Sequence, residues 1–328
     1  MEKVEYLASK LKTGLREHEV MRDHTTMHVG GVADFYFEAH SAEDLIKAVD
    51  AAIEINVPYF ILGGGSNVIF SDFGFPGLVI RNMTTNIAFM MEKSQVIVDS
   101  GVSLSKLILD SVSHNLAGLE FLFGVPGTIG GAIYGNIGAN GQSIGDYLKS
   151  VTLLIPGKPG EKSEIVQYPA NWFELGYRTS KLKAMTGKNK PIILSARIQL
   201  AQSRQEEIMR RLNTWKNKRI DSQPTGWSSG CMFKNAIPEA LEDTNAYGRK
   251  SMPQLPKERT AGYMLDKSGA KKLKLGGAQV SSKHANFIIN TTDARAQDVR
   301  RLAEQMRNSV REKFDIELEE EIEYVGQW

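Results

Sequence analysis

The sequence predicts an α+β fold in which short strands alternate with amphipathic helices, followed by a separate C-terminal α+β unit. Three observations support this prediction: helical and strand periods alternate over residues 20–200, glycines cluster in the first half, and the composition changes near residue 203. The 328 residues indicate two domains or one large body with an addition. Hydrophobic residues make up 41% and charged residues 24%, which is typical of a globular chain with a buried core.

The first half of the chain predicts helices and strands in alternation. A helix begins at Ser41, because Ser41 followed by Asp44 matches a capping box and the next apolar residues keep helical spacing. Those apolar residues are Leu45, Val49, Ala52 and Ile53. Pro58 ends this helix before a strand over 59–62. Further strands are predicted over 77–83, 95–99, 149–155 and 191–199, with a short amphipathic helix over 103–114.

The second half begins with a basic amphipathic helix over 205–219. Its inward positions are Ile208, Leu212 and Trp215, and its basic residues, which we interpret as a mostly solvated face, are Arg210, Arg211, Lys216, Lys218 and Arg219. Strand residues follow over 278–290, and the longest helix is predicted over 293–314. Residues 316–325 alternate like a strand, which puts Glu317, Glu319, Glu321 and Glu323 on one face.

Glycines form clusters, which is the first sign of a ligand. Gly30 and Gly31 are a pair, Gly63–Gly65 a triplet, and seven more lie between Gly124 and Gly141. The span 121–145 carries no charged residue. Any single pair is more often a tight turn. Three clusters in one half of the chain favour a large phosphate-bearing cofactor, because glycine lets backbone amides approach anionic oxygens closely.

The kind of cofactor is narrowed by the motifs that are missing. No G-x-x-x-x-G-K-[ST] occurs, so a nucleoside-triphosphate loop is not expected. The triplet, in PYFILGGGSNVIF, is not the G-x-G-x-x-G that opens a helix in dinucleotide folds. Apolar residues precede and follow this loop. The sequence therefore predicts strand, loop, strand, with a pyrophosphate held by loop amides.

Composition and charge exclude several classes of protein. Forty basic and 38 acidic side chains leave a net charge of +2, so no global field attracts nucleic acid or anionic lipid. One cysteine excludes a disulfide framework, and six histidines without H-E-x-x-H give no reason to expect a metal. No stretch approaches the about 18 continuous apolar residues of a membrane span, and the charged N-terminal segment lacks a secretory signal. We therefore expect a soluble, cytoplasmic protein.

Individual chemical candidates are weak when taken one at a time. Cys231 is the only cysteine, and a lone cysteine is usually a small buried hydrophobe, although Gly230 before it allows close approach of a ligand. Arg178 could clamp a carboxylate with two hydrogen bonds. Five glutamates between 317 and 323 form a solvated edge, or a site where crowding raises a carboxyl pKa. These residues alone predict a cofactor-binding enzyme with a separate substrate domain.

Taken in order, seven segments resemble the UDP-N-acetylenolpyruvoylglucosamine reductases, the MurB family of flavoenzymes. The segments are HTTMHVGGVADFYFEAHSAEDL, ILGGGSNVIFSDFGFPGLVIR, GLEFLFGVPGTIGGAIYGNIGANG, FELGYRTS, SSGCMFKN, AGYMLDKSGAKKLKLGGAQVSSKHANFIIN and DIELEEEIEYVG. The resemblance implies a two-part FAD-binding region of the PCMH/vanillyl-alcohol-oxidase type followed by a C-terminal substrate-binding domain. The implied division is 1–78, 79–203 and 204–328. The short link between Ser180 and Pro191 indicates the subclass without an extra substrate-covering loop.

The resemblance also implies an activity. FAD is the bound cofactor and NADPH the transient reductant, and the substrate is UDP-N-acetylglucosamine enolpyruvate, whose enolpyruvyl ether is reduced to give UDP-N-acetylmuramate. This reaction belongs to peptidoglycan precursor synthesis, and so to cell-wall biogenesis, cell shape and division. Hydride goes from reduced flavin to C3, and a protein acid gives a proton to C2. The implied partner is thus a small molecule, with no nucleic acid and no membrane insertion.

Site residues follow from the matching motifs. Arg178 and Glu321 correspond to the pair that stabilises the enolate, and Cys231 stands where the family most often has a proton-donating serine. Its thiol, with an ordinary pKa near 8.5, is mostly protonated at neutral pH. The residues implied for FAD are Gly63, Gly64, Gly65, Ser66, Asn67, Val68, Gly124, Val125, Pro126, Gly127, Gly130, Gly131 and Asn136. Those implied for the nucleotide sugar are Tyr177, Lys234, Asn235, Lys271 and His284.

The chain departs from the family pattern at several positions besides Cys231. The family often has arginine where Glu323 stands, proline where Ala236 stands and an aromatic residue where Asn140 stands. Two other functions remain open from the sequence. One is a different FAD oxidoreductase on the same fold that acts on another sugar or alcohol and does not need Cys231, and the other is a non-catalytic flavin- or nucleotide-binding protein.

Overall fold

The computed structural model describes residues 3–12, 14–187, 190–236 and 255–328. Its α-helices are α1 (Lys3–Leu11), α2 (Ala42–Glu54), α3 (Leu104–Ser113), α4 (Ile129–Tyr134), α5 (Lys181–Ala184), α6 (Gln205–Ser222), α7 (Ala261–Lys267) and α8 (Ala296–Phe314). Its strands in the N-terminal half are β1 (Arg16–Val20), β2 (Val32–Ala39), β3 (Tyr59–Leu62), β4 (Val68–Phe70), β5 (Phe75–Asn82), β6 (Ile87–Met90), β7 (Gln95–Asp99), β8 (Leu116–Ala117), β9 (Gly138–Ala139), β10 (Gln142–Ser143) and β11 (Leu148–Ile155). The remaining strands are β12 (Glu164–Pro169), β13 (Ile192–Gln199), β14 (Ala201–Gln202), β15 (Lys274–Leu275), β16 (Ala278–Val280), β17 (Ile288–Asn290) and β18 (Glu323–Val325).

A mixed sheet forms the first layer, in the order β1-β2-β5-β3. Strands β2 and β3 pair parallel to β5, while β1 pairs antiparallel to β2. The predicted capping box is confirmed, since the Ser41 side chain accepts from the Asp44 amide and the Asp44 side chain accepts from the Ser41 amide. Helix α2 buries its apolar face, as its spacing predicts. The glycine triplet lies in a loop between β3 and β4, which confirms the predicted order of strand, loop and strand.

An antiparallel sheet forms the second layer, in the order β12-β11-β13-β7-β6. Helix α3 begins after Ser103, whose side chain accepts from the Lys106 amide, and it packs into the same core as β7 and β13. Helix α6 joins this core through Ile208 and Leu212. The basic helix after residue 203 therefore packs into the core of the second layer, against α3 and β8, although the sequence assigns it to the C-terminal domain.

The C-terminal part has its own core and returns to the glycine loop. Helices α7 and α8 pack with the small sheet β15-β16-β17, and the predicted strand material over 278–290 is a hairpin of two short strands. Strand β18 pairs parallel with β4, so that Glu323 lies opposite Val68. The last strand thus lies beside the first glycine loop, which is the contact that completes the site.

Two predicted boundaries are wrong, and each has a tertiary reason. Helix α8 begins at Ala296 rather than near 293. The Asp298 carboxylate accepts from the Arg295 amide at 3.1 Å, and the Asp72 carboxylate, from a distant loop, accepts from the amides of Ala296 and Gln297 at 2.8 and 2.9 Å. The segment 316–325 is regular strand only over Glu323–Val325. Its alternation of faces is nevertheless kept, with Leu318 and Ile322 buried.

Candidate active site

A two-residue turn presents Arg178 to the site. Gly176 and Thr179 exchange backbone hydrogen bonds, which leaves Tyr177 and Arg178 at the corner. Arg178 has a φ of +53°, a left-handed conformation that side-chain-bearing residues rarely adopt. Buried Asn136 anchors the turn, because its side chain donates to the Gly176 carbonyl at 2.7 Å and accepts from the Gly145 amide. The side chain of Asn136, predicted to contact FAD, is thus engaged in holding this turn.

Arg178 and Glu321 form an ion pair across the site. The Arg178 Nε lies 2.8 Å from the Glu321 Oε1, and both side chains are largely shielded from solvent, with 16% and 19% exposed. A second guanidinium nitrogen, Nη2, donates to the Gly138 carbonyl at 2.7 Å. The guanidinium is therefore fixed from two directions, with a carboxylate on one side. The two residues lie 143 positions apart in the chain, and the fold brings them into contact.

Cys231 lies in a loop that buried Asn286 holds from both sides. The Met232 amide donates to the Asn286 carbonyl at 2.8 Å, the Phe233 amide donates to the Asn286 side chain, and that side chain donates back to the Phe233 carbonyl. The Glu321 amide donates to the Met232 carbonyl at 2.8 Å. The loop carrying Cys231 and the segment carrying Glu321 are thus adjacent backbones.

The Cys231 thiol is half-buried among charged groups. Burial, with a smaller contribution from the Glu321 carboxylate, raises its pKa to about 12, while Arg178 and Arg219 act in the opposite direction. The thiol is therefore protonated throughout the neutral range. The default interpretation of a lone cysteine, a small buried hydrophobe, does not explain a thiol whose pKa responds to this set of charges.

Two glycine loops, over residues 63–68 (the first) and 124–131 (the second), lie against each other. Ser66 donates to the Pro126 carbonyl at 3.0 Å, and a Cβ added at Gly64 would lie 3.1 Å from the Gly127 Cα. Gly65 has a φ of +65°, and a Cβ there would lie 2.1 Å from the His24 carbonyl oxygen. Among the described residues, none accepts a hydrogen bond from the backbone amides of Gly64, Gly127 or Thr128. Such unpaired donors on close backbones fit a pyrophosphate.

Asn67 connects the first glycine loop to the segment that carries Glu321 and Glu323. Its side chain donates to the Glu321 carbonyl at 3.1 Å, and its own carbonyl accepts from the Glu323 amide at 3.0 Å. Val68 then begins β4, which pairs with β18. A ligand held by the loop is thereby placed next to Glu321.

The residues predicted for the nucleotide sugar fall into separate contacts. The Asn235 amide donates to the Tyr177 hydroxyl at 3.1 Å, next to Arg178. Lys234 is paired with the Glu319 carboxylate. Lys271 pairs with Asp266 at 3.0 Å and also faces His284, whose pKa is lowered by burial and by the Lys271 charge.

The acidic segment is not a single crowded edge. Three of its glutamates have different basic partners: Glu319 has Lys234, Glu321 has Arg178, and Glu317 has Arg307, which Glu320 shares. The pKa of Glu323 is raised, but burial is the cause, and Lys183 and Lys190 oppose it. The expected effect of like-charge crowding is therefore wrong for Glu323, because irregular backbone and separate cations disperse the carboxylates.

Three site residues have no place among the sequence candidates. Arg219 donates to the Phe123 carbonyl at 3.2 Å, beside the second glycine loop, and its charge lowers the pKa of Cys231. Asn286 holds the loop that carries Cys231 by accepting from the Phe233 amide. The Lys183 ammonium donates to the Arg178 carbonyl. A signal for Arg219 does exist, because Ile208, Leu212, Trp215 and Arg219 share one helical stripe. Lys218, assigned to the solvated face, donates to Asn140, one of the departures from the family pattern, at 2.8 Å.

Two absences complete the description of the site. No helix among the described residues is both long and apolar enough to cross a membrane. Over the same parts of the chain, no three histidine, cysteine or carboxylate side chains are grouped to hold a metal ion.

An FAD-binding region joined to a C-terminal domain that supplies acidic and thiol side chains defines a flavoprotein. The sequence model of the FAD binding domain matches residues 33–157. The model described as UDP-N-acetylenolpyruvoylglucosamine reductase, C-terminal domain, matches residues 222–325. These matches confirm the predicted fold class, a two-part FAD-binding region followed by a C-terminal α+β domain.

Relatives along the whole chain identify the family. The chain is 34% identical over 324 residues to the UDP-N-acetylenolpyruvoylglucosamine reductase of Carboxydothermus hydrogenoformans, covering 98% of each chain. It is 33% identical over 321 residues to that of Geotalea uraniireducens, covering 98% of this chain and 97% of the relative. The crystal structure of the reductase (MurB) from Thermus caldophilus superposes with a TM-score of 0.73 at 31% identity, over 95% of this chain and 99% of that one. The chain belongs to the UDP-N-acetylenolpyruvoylglucosamine reductase family.

Proposed function

We propose that this chain is an FAD-dependent oxidoreductase that reduces the enolpyruvyl ether of UDP-N-acetylglucosamine enolpyruvate to UDP-N-acetylmuramate. The observation that carries the proposal is the meeting of Arg178, Cys231 and Glu321 beside two glycine loops in which the amides of Gly64, Gly127 and Thr128 have no acceptor among the described residues. A protonated acid, a fixed cation and an anion-binding loop are what reduction of an enolpyruvyl group requires. Family membership supports the same reaction.

The two loops Gly63–Val68 and Gly124–Gly131 are the proposed FAD site. Their close backbones, and the amides of Gly64, Gly127 and Thr128 that find no acceptor in the described part of the chain, suit a diphosphate. Asn67 ties the first loop to Glu321. The bound flavin supplies the hydride that the substrate carbon C3 receives. Asn136 supports this site indirectly, through the turn that holds Arg178.

Cys231 is the proposed proton donor to the substrate carbon C2. A general acid must hold its proton until charge develops on the substrate, and a thiol with a pKa of about 12 does so at neutral pH. As negative charge develops at C2, the Sγ–H proton moves to that carbon, and the cations Arg178 and Arg219 stabilise the thiolate that is left. The thiolate then regains a proton from solvent.

Arg178 is the proposed partner of the substrate carboxylate, into which the charge at C2 spreads. Its Nη2 donates to the Gly138 carbonyl and its Nε forms an ion pair with Glu321, so the guanidinium is oriented before any ligand binds. Glu321 holds the cation in place. Pre-orientation matters because a donor that need not reorganise stabilises developing charge more strongly than water does.

The nucleotide sugar is proposed to contact Tyr177, Lys234 and Asn235 near Arg178, with Lys271 and His284 farther out. The Tyr177–Asn235 hydrogen bond lies next to Arg178, which supports a sugar contact. Lys271 and His284 face each other, which supports a second, anionic contact. Each lysine already has a carboxylate partner, so binding a diphosphate exchanges one anion for another.

The reductant is proposed to be NADPH, and the reaction to be a step of peptidoglycan precursor synthesis in the cytoplasm, contributing to cell shape and division. We also propose the three-part division of the chain, with two boundaries moved. The first falls after Asn82, where β5 ends, rather than after 78, and the second falls after Ser222, since α6 packs into the core of the second layer. The C-terminal family model, which begins at residue 222, supports this.

One anaerobic experiment tests the proposed function. The purified protein, reconstituted with FAD and reduced by NADPH, is mixed with UDP-N-acetylglucosamine enolpyruvate while the flavin absorbance is followed. Rapid reoxidation is expected, and the matched control, UDP-N-acetylglucosamine without the enolpyruvyl ether, leaves the flavin reduced. If both sugars leave it reduced, the chain is not this reductase. Reoxidation by both would point to a different FAD oxidoreductase.

A further inference from the structure

Lys183 lies directly behind the turn that presents Arg178. It is on the short helix α5, which Ser180 caps by accepting from the Lys183 amide at 3.2 Å. Ser180 is 1% exposed and also donates to the Tyr134 carbonyl at 2.7 Å, so the helix is anchored to the layer beneath. The Lys183 ammonium donates to the Arg178 carbonyl at 3.3 Å. A buried cap thus aims this lysine at the backbone of Arg178.

The hydrogen bond from Lys183 acts on a backbone that needs support. Arg178 has a left-handed φ of +53°, which persists only where surrounding contacts hold it. On the inner side, Asn136 holds the carbonyl of Gly176, two residues earlier. On the outer side, the contact to the Arg178 carbonyl itself is the Lys183 ammonium. Without this contact, the peptide after Arg178 keeps the long backbone hydrogen bond of 3.4 Å from the Thr179 amide to the Gly176 carbonyl, which constrains the position of the guanidinium next to Glu321 less tightly.

The charges around Lys183 belong to the site as well. The carboxylates that favour its charged form are Glu321, Glu323 and Glu319, while Lys234 opposes it. Within the described ranges, none of these carboxylates comes within 4.0 Å of the Lys183 ammonium as a salt bridge, although Glu321 does so with Arg178. Lys183 is therefore a shared counter-ion.

Burial and the charge of Lys234 lower the pKa of Lys183 below its ordinary value of 10.5. Lys183 consequently loses its proton at a lower pH than a surface lysine does. Lys234 is present in both the native enzyme and Lys183→Arg, so comparison of the two proteins isolates the contribution of Lys183. The pKa of Cys231 is raised to about 12, the pKa of Tyr177 is raised by burial, and the pKa of Glu323 affects only the acidic side.

We propose that Lys183 is a positioning residue for the reductase reaction, whose charged ammonium fixes the left-handed turn at Arg178 and serves as counter-ion to Glu321 and Glu323. The inference rests on the proposed function. Reduction of the enolpyruvyl sugar then requires the protonated Lys183, whereas flavin reduction by NADPH does not. Glu323, which stands where the family often has arginine, gives this chain a stronger need for a cation at 183.

Three variants test the inference in the FAD-bound enzyme. Lys183→Met is expected to slow reoxidation of the reduced flavin by the enolpyruvyl sugar by roughly 10-fold to 10²-fold, the size of effect that misplacement of a positioning group produces. Flavin reduction by NADPH stays unchanged. Lys183→Arg keeps a charged donor and restores most of the rate. Lys181→Met is the matched control, because Lys181 lies on the same helix and pairs with exposed Glu174.

The pH dependence separates positioning from mere packing. In the native enzyme, the rate of flavin reoxidation is expected to fall on the alkaline side as Lys183 loses its proton. In Lys183→Arg this fall moves to higher pH, because a guanidinium stays charged. An alkaline fall at the same pH in both proteins would refute the inference, and so would a Lys183→Met rate equal to the native one.

The outcomes remain distinguishable from failure of the proposed function. If the native enzyme does not reduce the enolpyruvyl sugar, the proposed function fails. If the native enzyme is active and Lys183→Met is equally active, only the inference about Lys183 fails. Should Lys183→Met not fold, as seen by circular dichroism and FAD content, the pH comparison of native enzyme and Lys183→Arg decides the question alone.

Discussion

Removal of the Cys231 thiol should separate proton donation from every other task of the enzyme. Cys231→Ala deletes one sulfur atom and leaves the backbone as it is, since the loop is held by Asn286 through the amides of Met232 and Phe233. Cys231→Ser is the matched variant, because a hydroxyl keeps a donor at the same position and serine is the residue most often found there in the family.

The size of the effect follows from the protonation state of the thiol. With a pKa of about 12, Cys231 is almost entirely protonated at neutral pH, so the native enzyme loses nothing to the wrong ionic form. A positioned general acid contributes roughly 10²-fold to 10⁴-fold. We therefore expect Cys231→Ala to slow reduction of the enolpyruvyl sugar by at least about 10²-fold, which corresponds to about 2.7 kcal/mol of transition-state free energy.

Anaerobic stopped-flow measurement of the two half-reactions is the assay. Reduction of the flavin by NADPH should proceed at the native rate in both variants, because it needs no proton at C2. Reoxidation by the enolpyruvyl sugar should be slow in Cys231→Ala, and Cys231→Ser should keep substantial activity. Equal reoxidation rates in the native protein and in Cys231→Ala would return the cysteine to a packing role and refute the proposed chemistry.

Three further predictions concern other contacts. Alkylation of Cys231 near neutral pH should be roughly 10³-fold slower than that of a free thiol, because a pKa of about 12 leaves little thiolate, and a rate like that of free cysteine would contradict the buried environment. Arg211→Ala should lower the free energy of unfolding in denaturant by about 2 kcal/mol, because it leaves the Glu120 carboxylate, 7% exposed, without its two-pronged partner. Exposed Arg210→Ala is the control, with a change below about 0.5 kcal/mol expected, and equal losses in both would contradict the reasoning. Asn67→Ala should slow reduction of the sugar more than it weakens FAD binding, because it removes the hydrogen bond to the Glu321 carbonyl. Stopped flow measures the rate of reduction, and flavin fluorescence titration measures the affinity for FAD. Weaker FAD binding with an unchanged rate would assign Asn67 to the cofactor alone.

Much of the fold could be predicted because its elements depend on near neighbours. The capping box at Ser41, the helix after Ser103 and the strand before the glycine triplet are each set by residues within a few positions. The errors occur where a distant residue decides. Helix α8 starts where Asp72 caps it, from 224 positions away, and the last acidic segment is regular strand only where it meets β4.

Most residues of the site could be predicted from the sequence, but the contacts between them could not. Motif resemblance gave Arg178, Cys231 and Glu321, and the structure brings them together. Arg219 was missed, since a basic helix face is usually solvated, yet its place on the apolar stripe turns it inward to the Phe123 carbonyl. Lys183 had no signal, because nothing in a sequence tells which of many lysines will be buried.

The sequence by itself determined the local structure, the glycine loops and the kind of ligand they suit, because backbone conformation and amide donors depend on residues close together in the chain. Only the tertiary structure decided which cation meets which carboxylate, and that the Cys231 proton is held tightly. Coulombic interaction and desolvation depend on distance and burial in space, and residues as far apart as Arg178 and Glu321 acquire both only when the chain has folded.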